Sequence, residues 1–105
     1  MSAPVVVTAH FSPKPGTLDA LRAALVASIP AVHEEDGCEL YAIHDVPDGS
    51  IMMIEKWSSR ELLAAHGSGA AVAALNEAVS DVVAAPPVVV IMDPIPAGTE
   101  AQGQL

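Results

Sequence analysis

Apolar positions along the chain follow two different rhythms. Val5 to Phe11 is a β-branched, apolar run halted by Pro13-Lys14-Pro15-Gly16, which predicts a first strand. From Thr17 the spacing changes. Leu18, Leu21, Leu25, Ile29 and Val32 recur at steps of three and four, the signature of an amphipathic helix. Thr17 suits its N-cap and Asp19 the positive end of its dipole. Pro30 removes one backbone donor and predicts a bend between Val26 and Pro30, before Glu34-Glu35-Asp36 and Gly37 end the helix. Cys38 to Asp45 and Ser50 to Trp57 read as two strands around Pro47-Asp48-Gly49, and Asp-Gly between apolar runs is a strong hairpin signal. Ser58 and Glu61 have capping-box spacing and open a short helix over Leu62 and Leu63 that Gly67 closes. Ser68 caps a further helix with a stripe of Val72, Leu75, Val79 and Val82. Pro86-Pro87 ends it, and Val88 to Met92 is the last strand.

The order is therefore β-α-β-β-α-α-β. That is the ferredoxin-like plan of the α+β class, an antiparallel sheet with helices on one face. Residues 1–93 form the single domain, and the Pro-, Gly- and Gln-rich residues 94–105 a loosely held tail. An antiparallel sheet with one wet face should alternate apolar and polar residues. Val5-Val6-Val7, Ile51-Met52-Met53-Ile54 and Val88 to Met92 are apolar on both parities instead. The chain cannot build a second helical layer, so a second copy is expected to cover the other face, as a homodimer.

Composition removes several function classes. The 105 residues are 51% apolar and carry four Lys+Arg against thirteen Asp+Glu, a formal charge of −9. No basic stripe exists to track phosphates, which argues against a nucleic-acid partner and against an anionic membrane surface. No apolar run approaches the length of a membrane span, and no signal-peptide pattern opens the sequence, so a cytoplasmic protein is expected. The single Cys38 has no neighbouring cation to favour its thiolate and no partner for an internal disulfide. The four histidines lack metal-ligand spacing, and Gly-rich phosphate loops, HExxH and GxSxG are all missing, so no metal is predicted.

The hairpin supplies the candidate chemistry. With Asp48-Gly49 as a two-residue turn, His44 falls opposite Met53, Ala42 opposite Glu55 and Leu40 opposite Trp57. These six then share one face, with Tyr41, Ile43, Ile54 and Lys56 on the other. Glu55, if buried, needs a partner, for which a backbone group or His44 is nearest. His66 sits at the end of the helix that follows Trp57 and can approach this face from its lip. An apolar cavity with a few polar groups is the usual form of a small-molecule site. Plainer readings exist: Trp57 as core, His66 as a helix-dipole partner, His44 as a strand histidine, His10 as a surface or dimer-facing residue, and His33-Glu34-Glu35-Asp36 as a solvated helix end.

Four segments together resemble one family: Val5 to Gly16, Gly37 to His44, Glu55-Lys56-Trp57 and Ala65-His66-Gly67-Ser68. In order and spacing they are similar to antibiotic biosynthesis monooxygenase (ABM) domains, of the YgiN-like quinol monooxygenase type, over about residues 4 to 93. The resemblance implies a dimeric α+β barrel and oxidation of a quinol or polycyclic phenol-like molecule by O₂ with no cofactor. Under it, His66 or His44 takes the proton, Glu55 orients, and Trp57 is the stacking wall, with Met53, Leu40 and Ala42 lining the substrate's place. Polyketide-tailoring members carry an Asn where this chain has Met53 and an Arg near Asn76 and Glu77, and haem-degrading members an Asn where it has Ala9. Two other functions use the same residues: an isomerase or lyase moving protons without O₂, and a non-catalytic ligand-binding dimer.

Overall fold

The computed structural model describes residues 3–105. Strands β1 (Val5–Phe11), β2 (Cys38–Asp45), β3 (Ile51–Trp57) and β4 (Val88–Met92) alternate with helices α1 (Leu18–His33), α2 (Arg60–Gly67) and α3 (Ala70–Val79). All pairings are antiparallel and the sheet order is β2-β3-β1-β4, the ferredoxin-like arrangement expected from the element order. Val5, Val7, Ala9, Phe11, Tyr41, Met53 and Trp57 point from one face into the core, against Leu21, Leu25 and Val32 of α1 and Leu75 and Val79 of α3. Helices therefore cover one face only.

The local signals hold with small displacements. Thr17 is the α1 N-cap, but its hydroxyl donates to the Lys14 and Val82 carbonyls and ties the helix start to the turn that follows α3. Helix α1 runs through Pro30 to His33. Ser59, rather than Ser58, caps α2 by accepting the Leu62 N–H, and Gly69 rather than Ser68 precedes α3. Ser68 instead donates its hydroxyl to the last carbonyls of α2. Residues 94–105 form no helix or strand; the Ala97 N–H meets the Gly103 carbonyl and closes a small loop.

The hairpin register differs from the expected one. Val46 donates to the Ser50 carbonyl, which leaves Pro47, Asp48 and Gly49 as a three-residue loop. Gly49 has φ +89°, the left-handed position that ends such loops. Asp48 accepts from both the Ser50 amide and hydroxyl, which favours the longer loop and holds the Asp48 carboxyl below its ordinary pKa. One added loop residue shifts the pairing by one. Tyr41 now faces Glu55, Ile43 faces Met53, and His44 faces Met52. A bulge between Cys38 and Leu40 resets the frame so that Cys38 lies opposite Trp57.

Candidate active site

The β3 residues expected to share a face do so, because their alternation is independent of the neighbouring strand: Met53, Glu55 and Trp57 all point under the helices. The β2 residues are corrected. Leu40, Ala42 and His44 lie on the opposite face, and Tyr41 and Ile43 take their places. His44 is exposed and its Nδ1 meets the Met52 carbonyl at 3.1 Å. The physical reason is the three-residue loop, which reverses the faces of β2 relative to β3.

Between β1, β3 and β4 on one side and α2 and α3 on the other lies a cavity of about 590 Å³. That is within the usual size of a small-molecule site. Its lining is mostly aliphatic, from Val7, Ala9, Val72, Leu75, Val89 and Ile91 among others, with Phe11 at one end. Five polar side chains line it: His66, Glu55, Tyr41 and, at the exposed edge, Arg60 and Asn76.

His66 is the centre of this arrangement. It sits in the last turn of α2, is 5% exposed, and stacks on the Trp57 indole at 4.5 Å between ring centroids. Tyr41 presents its ring edge-on to His66 at 5.4 Å. Trp57, fully buried, does not line the cavity; it is the wall behind the imidazole rather than a stacking wall for a ligand. Its Nε1–H donates to Glu55 Oε1 at 3.0 Å, so the partner of Glu55 is the indole and not His44 or the backbone. The Nδ1 of His66 meets Glu35 Oε1 at 2.7 Å. Glu35 was expected in a solvated helix end; no local signal marks a contact between residues 31 positions apart.

These bonds leave three polar groups unused. His66 Nε2, the second Glu55 oxygen and the Tyr41 hydroxyl bond to nothing within the protein, yet no enclosed side-chain nitrogen or oxygen lacks a partner among the described residues. Each is therefore open, and the cavity that all three residues line is where they can meet a ligand. Burial pushes the Glu55 carboxyl above its ordinary range, while the Trp57 N–H and the nearby His66 pull it partly back. Burial, reinforced by Glu55 and Glu35, likewise raises the Tyr41 phenol, so it stays protonated and available as a donor. Cys38 is also pushed up by burial and by the same two carboxylates, which suits a packed thiol rather than a nucleophile. Among the described residues no three His, Cys, Asp or Glu side chains gather as a metal-binding group, and no helix is long and apolar enough to cross a membrane.

A four-stranded ferredoxin-like domain holding a side-opening apolar cavity, with one imidazole and one carboxyl turned into it, defines a class of small-molecule-handling α+β proteins. Comparison narrows the class: residues 4–78 match the antibiotic biosynthesis monooxygenase family, and the chain belongs to it. A relative from Mycobacterium tuberculosis, named "Putative monooxygenase Rv0793", is 40% identical over 67 residues. That alignment spans 63% of this chain and 66% of the relative, just under two thirds of its length. The solved structure of Rv0793 superposes with a TM-score of 0.83 at 31% identity, covering 92% of this chain and all of that one. The structure of PA3566 from Pseudomonas aeruginosa, 22% identical, has the same fold, with a TM-score of 0.80 over 90% of this chain and 97% of its own.

Proposed function

We propose that this protein is a monooxygenase acting on a quinol or polycyclic phenol, with O₂ as the oxidant and the substrate as the source of electrons. The observation that carries the reading is that His66, Glu55 and Tyr41 all line one largely aliphatic cavity, each with a polar atom that bonds to nothing within the protein. A flat, mostly apolar ring system suits the walls formed by Val7, Ala9, Phe11, Met53 and Leu75. The phenolic hydroxyl meets His66, which takes its proton. Tyr41 and the Glu55 carboxyl steady the substrate's oxygens by hydrogen bonds.

The electron balance closes without another reductant. Loss of the phenolic proton to His66 gives a phenolate, which passes one electron to O₂; recombination of the two radicals forms a C–O bond at a ring carbon that bears hydrogen. Departure of that hydrogen and cleavage of the O–O bond leave a quinone carbonyl and one molecule of water. One oxygen atom is kept and one is released, and exclusion of bulk water by the aliphatic walls protects the reactive intermediates.

The uncovered sheet face supports the homodimer as part of this reading. Val88, Val90 and Met92 project from it at 62, 46 and 37% exposure, beside Val6 of β1 and Ile54 of β3. A second copy laid face to face would remove this apolar surface from water.

The test is oxygen uptake with a panel of quinols and polycyclic phenols, followed by mass analysis of products formed under ¹⁸O₂. Incorporation of one labelled atom, lost in His66→Ala, is the expected result. Turnover of a substrate at equal rate without O₂ would instead establish proton-transfer chemistry of the isomerase or lyase kind.

A further inference from the structure

We infer that Glu35, from the turn between α1 and β2, is a positioning residue for His66: it fixes the imidazole with its proton on Nδ1 and so presents the unprotonated Nε2 to the cavity. This rests on the reading of His66 as the base and adds the device that makes it one. Glu35 does not line the cavity and touches no space a ligand would occupy.

The geometry is specific. Glu35 Oε1 lies 2.7 Å from His66 Nδ1, and the imidazole packs against the Trp57 and Tyr41 rings. A neutral histidine carries its proton on the nitrogen whose hydrogen bond demands it. A carboxylate can only accept, so the Nδ1 site must donate and Nε2 is left as a lone pair. When His66 takes up a proton during turnover, the Glu35 charge is already in place against the new cation. Tyr41 packs on the ring and Glu55 lies near enough to feel its charge, and both line the cavity, as do Arg60 and Asn76 at its exposed edge.

The turn is built to hold this carboxylate in position. The Glu35 N–H donates to the Val32 carbonyl and its own carbonyl accepts from Cys38. Two residues on, Gly37 has φ +83°, and its carbonyl accepts from the Ser58 N–H at 2.9 Å. A Cβ there would lie 2.6 Å from the Leu62 side chain and 2.9 Å from Ser58 Oγ. The turn is thus pressed against the start of α2, and Glu35 spans the remaining gap to the end of the same helix. Its second oxygen lies beside Gly69, where a Cβ would approach it to 3.4 Å. A carboxylate tethered by its backbone on both sides and 25% exposed in its side chain is poorly explained as a merely solvated helix end.

The experiment follows the ring nitrogens of His66 by ¹H–¹⁵N correlation in the full chain, titrated until the ring is neutral. Wild type should show the Nδ1–H tautomer. Glu35→Ala should shift the population toward Nε2–H, and Glu35→Leu, which offers Nδ1 no acceptor, should do the same. Oxygen uptake by these variants should show kcat lowered at least about tenfold, part of the 10²–10⁴ that a positioned base supplies, with KM little changed. The inference is overturned if both folded variants keep the wild-type tautomer, or if kcat is unchanged in one whose tautomer has moved. Should wild type itself turn over no quinol, the oxygenase reading fails while the tautomer measurement still decides the role of Glu35.

Discussion

On the face of the sheet beneath the helices, Val5, Val7, Met53 and Trp57 of the central strands are at most 1% exposed; at the β4 edge Val88, Val90 and Met92 on the other face are 37–62% exposed, as are the cavity-side Val89 and Ile91. The residue types hardly differ, since both faces are rich in Val, Ile and Met. What differs is the polar residues among them. The covered face holds Glu55 and Tyr41 beneath His66, each with one open polar atom, whereas the uncovered face holds Thr8, His10, His44 and Lys56 with their polar groups at or near the surface. His10 there bonds to Ser50 at 2.7 Å and Lys56 pairs with Glu39 at 3.6 Å, contacts that brace the sheet away from the cavity of His66. Aliphatic content alone therefore does not mark a site. A site needs apolar walls and a few polar groups that the fold leaves unspent.

The comparison can be broken most sharply by exchanging the two histidines' fates. His66→Ala should lower oxygen uptake by about 10²–10⁴-fold, the contribution of a positioned base, while His44→Ala on the other face should leave it within a factor of two. Equal losses in both would mean that the faces are not functionally distinct. A large structural effect is expected from Gly37→Ala, which forces a side chain into a positive-φ position and against Leu62. Left-handed backbone strain and overpacking together should cost about 2–4 kcal/mol in denaturant titration. A loss below 0.5 kcal/mol would show the turn to be pliable and weaken the case for a fixed Glu35.

On the uncovered face, Val90→Glu should convert the proposed dimer, about twice 10.7 kDa, into a monomer by light scattering. Val89→Ser, one residue away on β4 but lining the cavity, should keep the dimer and raise KM instead. The smallest effect concerns Glu55. Its carboxyl is raised by burial in the folded protein and ordinary in the unfolded chain, so folded and unfolded forms are equally protonated at pH 3. As pH rises through the raised value the folded form bears a growing cost of ionisation. Glu55→Gln does not ionise, so its Tm relative to wild type should rise as the pH goes from 3 to 8. A constant difference across that range would mean that the buried carboxyl is fully compensated.

The element order was legible in the sequence because most boundaries carry a local device, as at Pro13 to Gly16, Gly37 and Asp48-Gly49; the end of α3 at Val79 does not, and Pro86-Pro87, expected to end that helix, instead lies just before β4. Met53, Glu55 and Trp57 could be grouped because alternation within one strand needs no knowledge of its neighbour. The β2 half of the site could not, since Asp48-Gly49 fits either a two- or a three-residue loop. Only the Asp48–Ser50 bonds and the Val46–Ser50 pairing decide between them. Glu35 was invisible for another reason. A carboxylate after a helix looks solvated until the fold brings α2 against it, and nothing near it in the chain marks that meeting.

The bulge between Cys38 and Leu40 makes β2 a strand with two reading frames. On its hairpin side the positions opposite β3 are counted back from Asp45, and on its α1 side they are counted forward from Gly37; one residue, Glu39, absorbs the difference. Any alignment of this strand with a relative is therefore trustworthy only within each half. A one-residue deletion at Glu39 would join the two frames into one, leaving Cys38 opposite Trp57 and Tyr41 opposite Glu55, whereas the same deletion between Leu40 and Tyr41 would force one half of the strand to turn over.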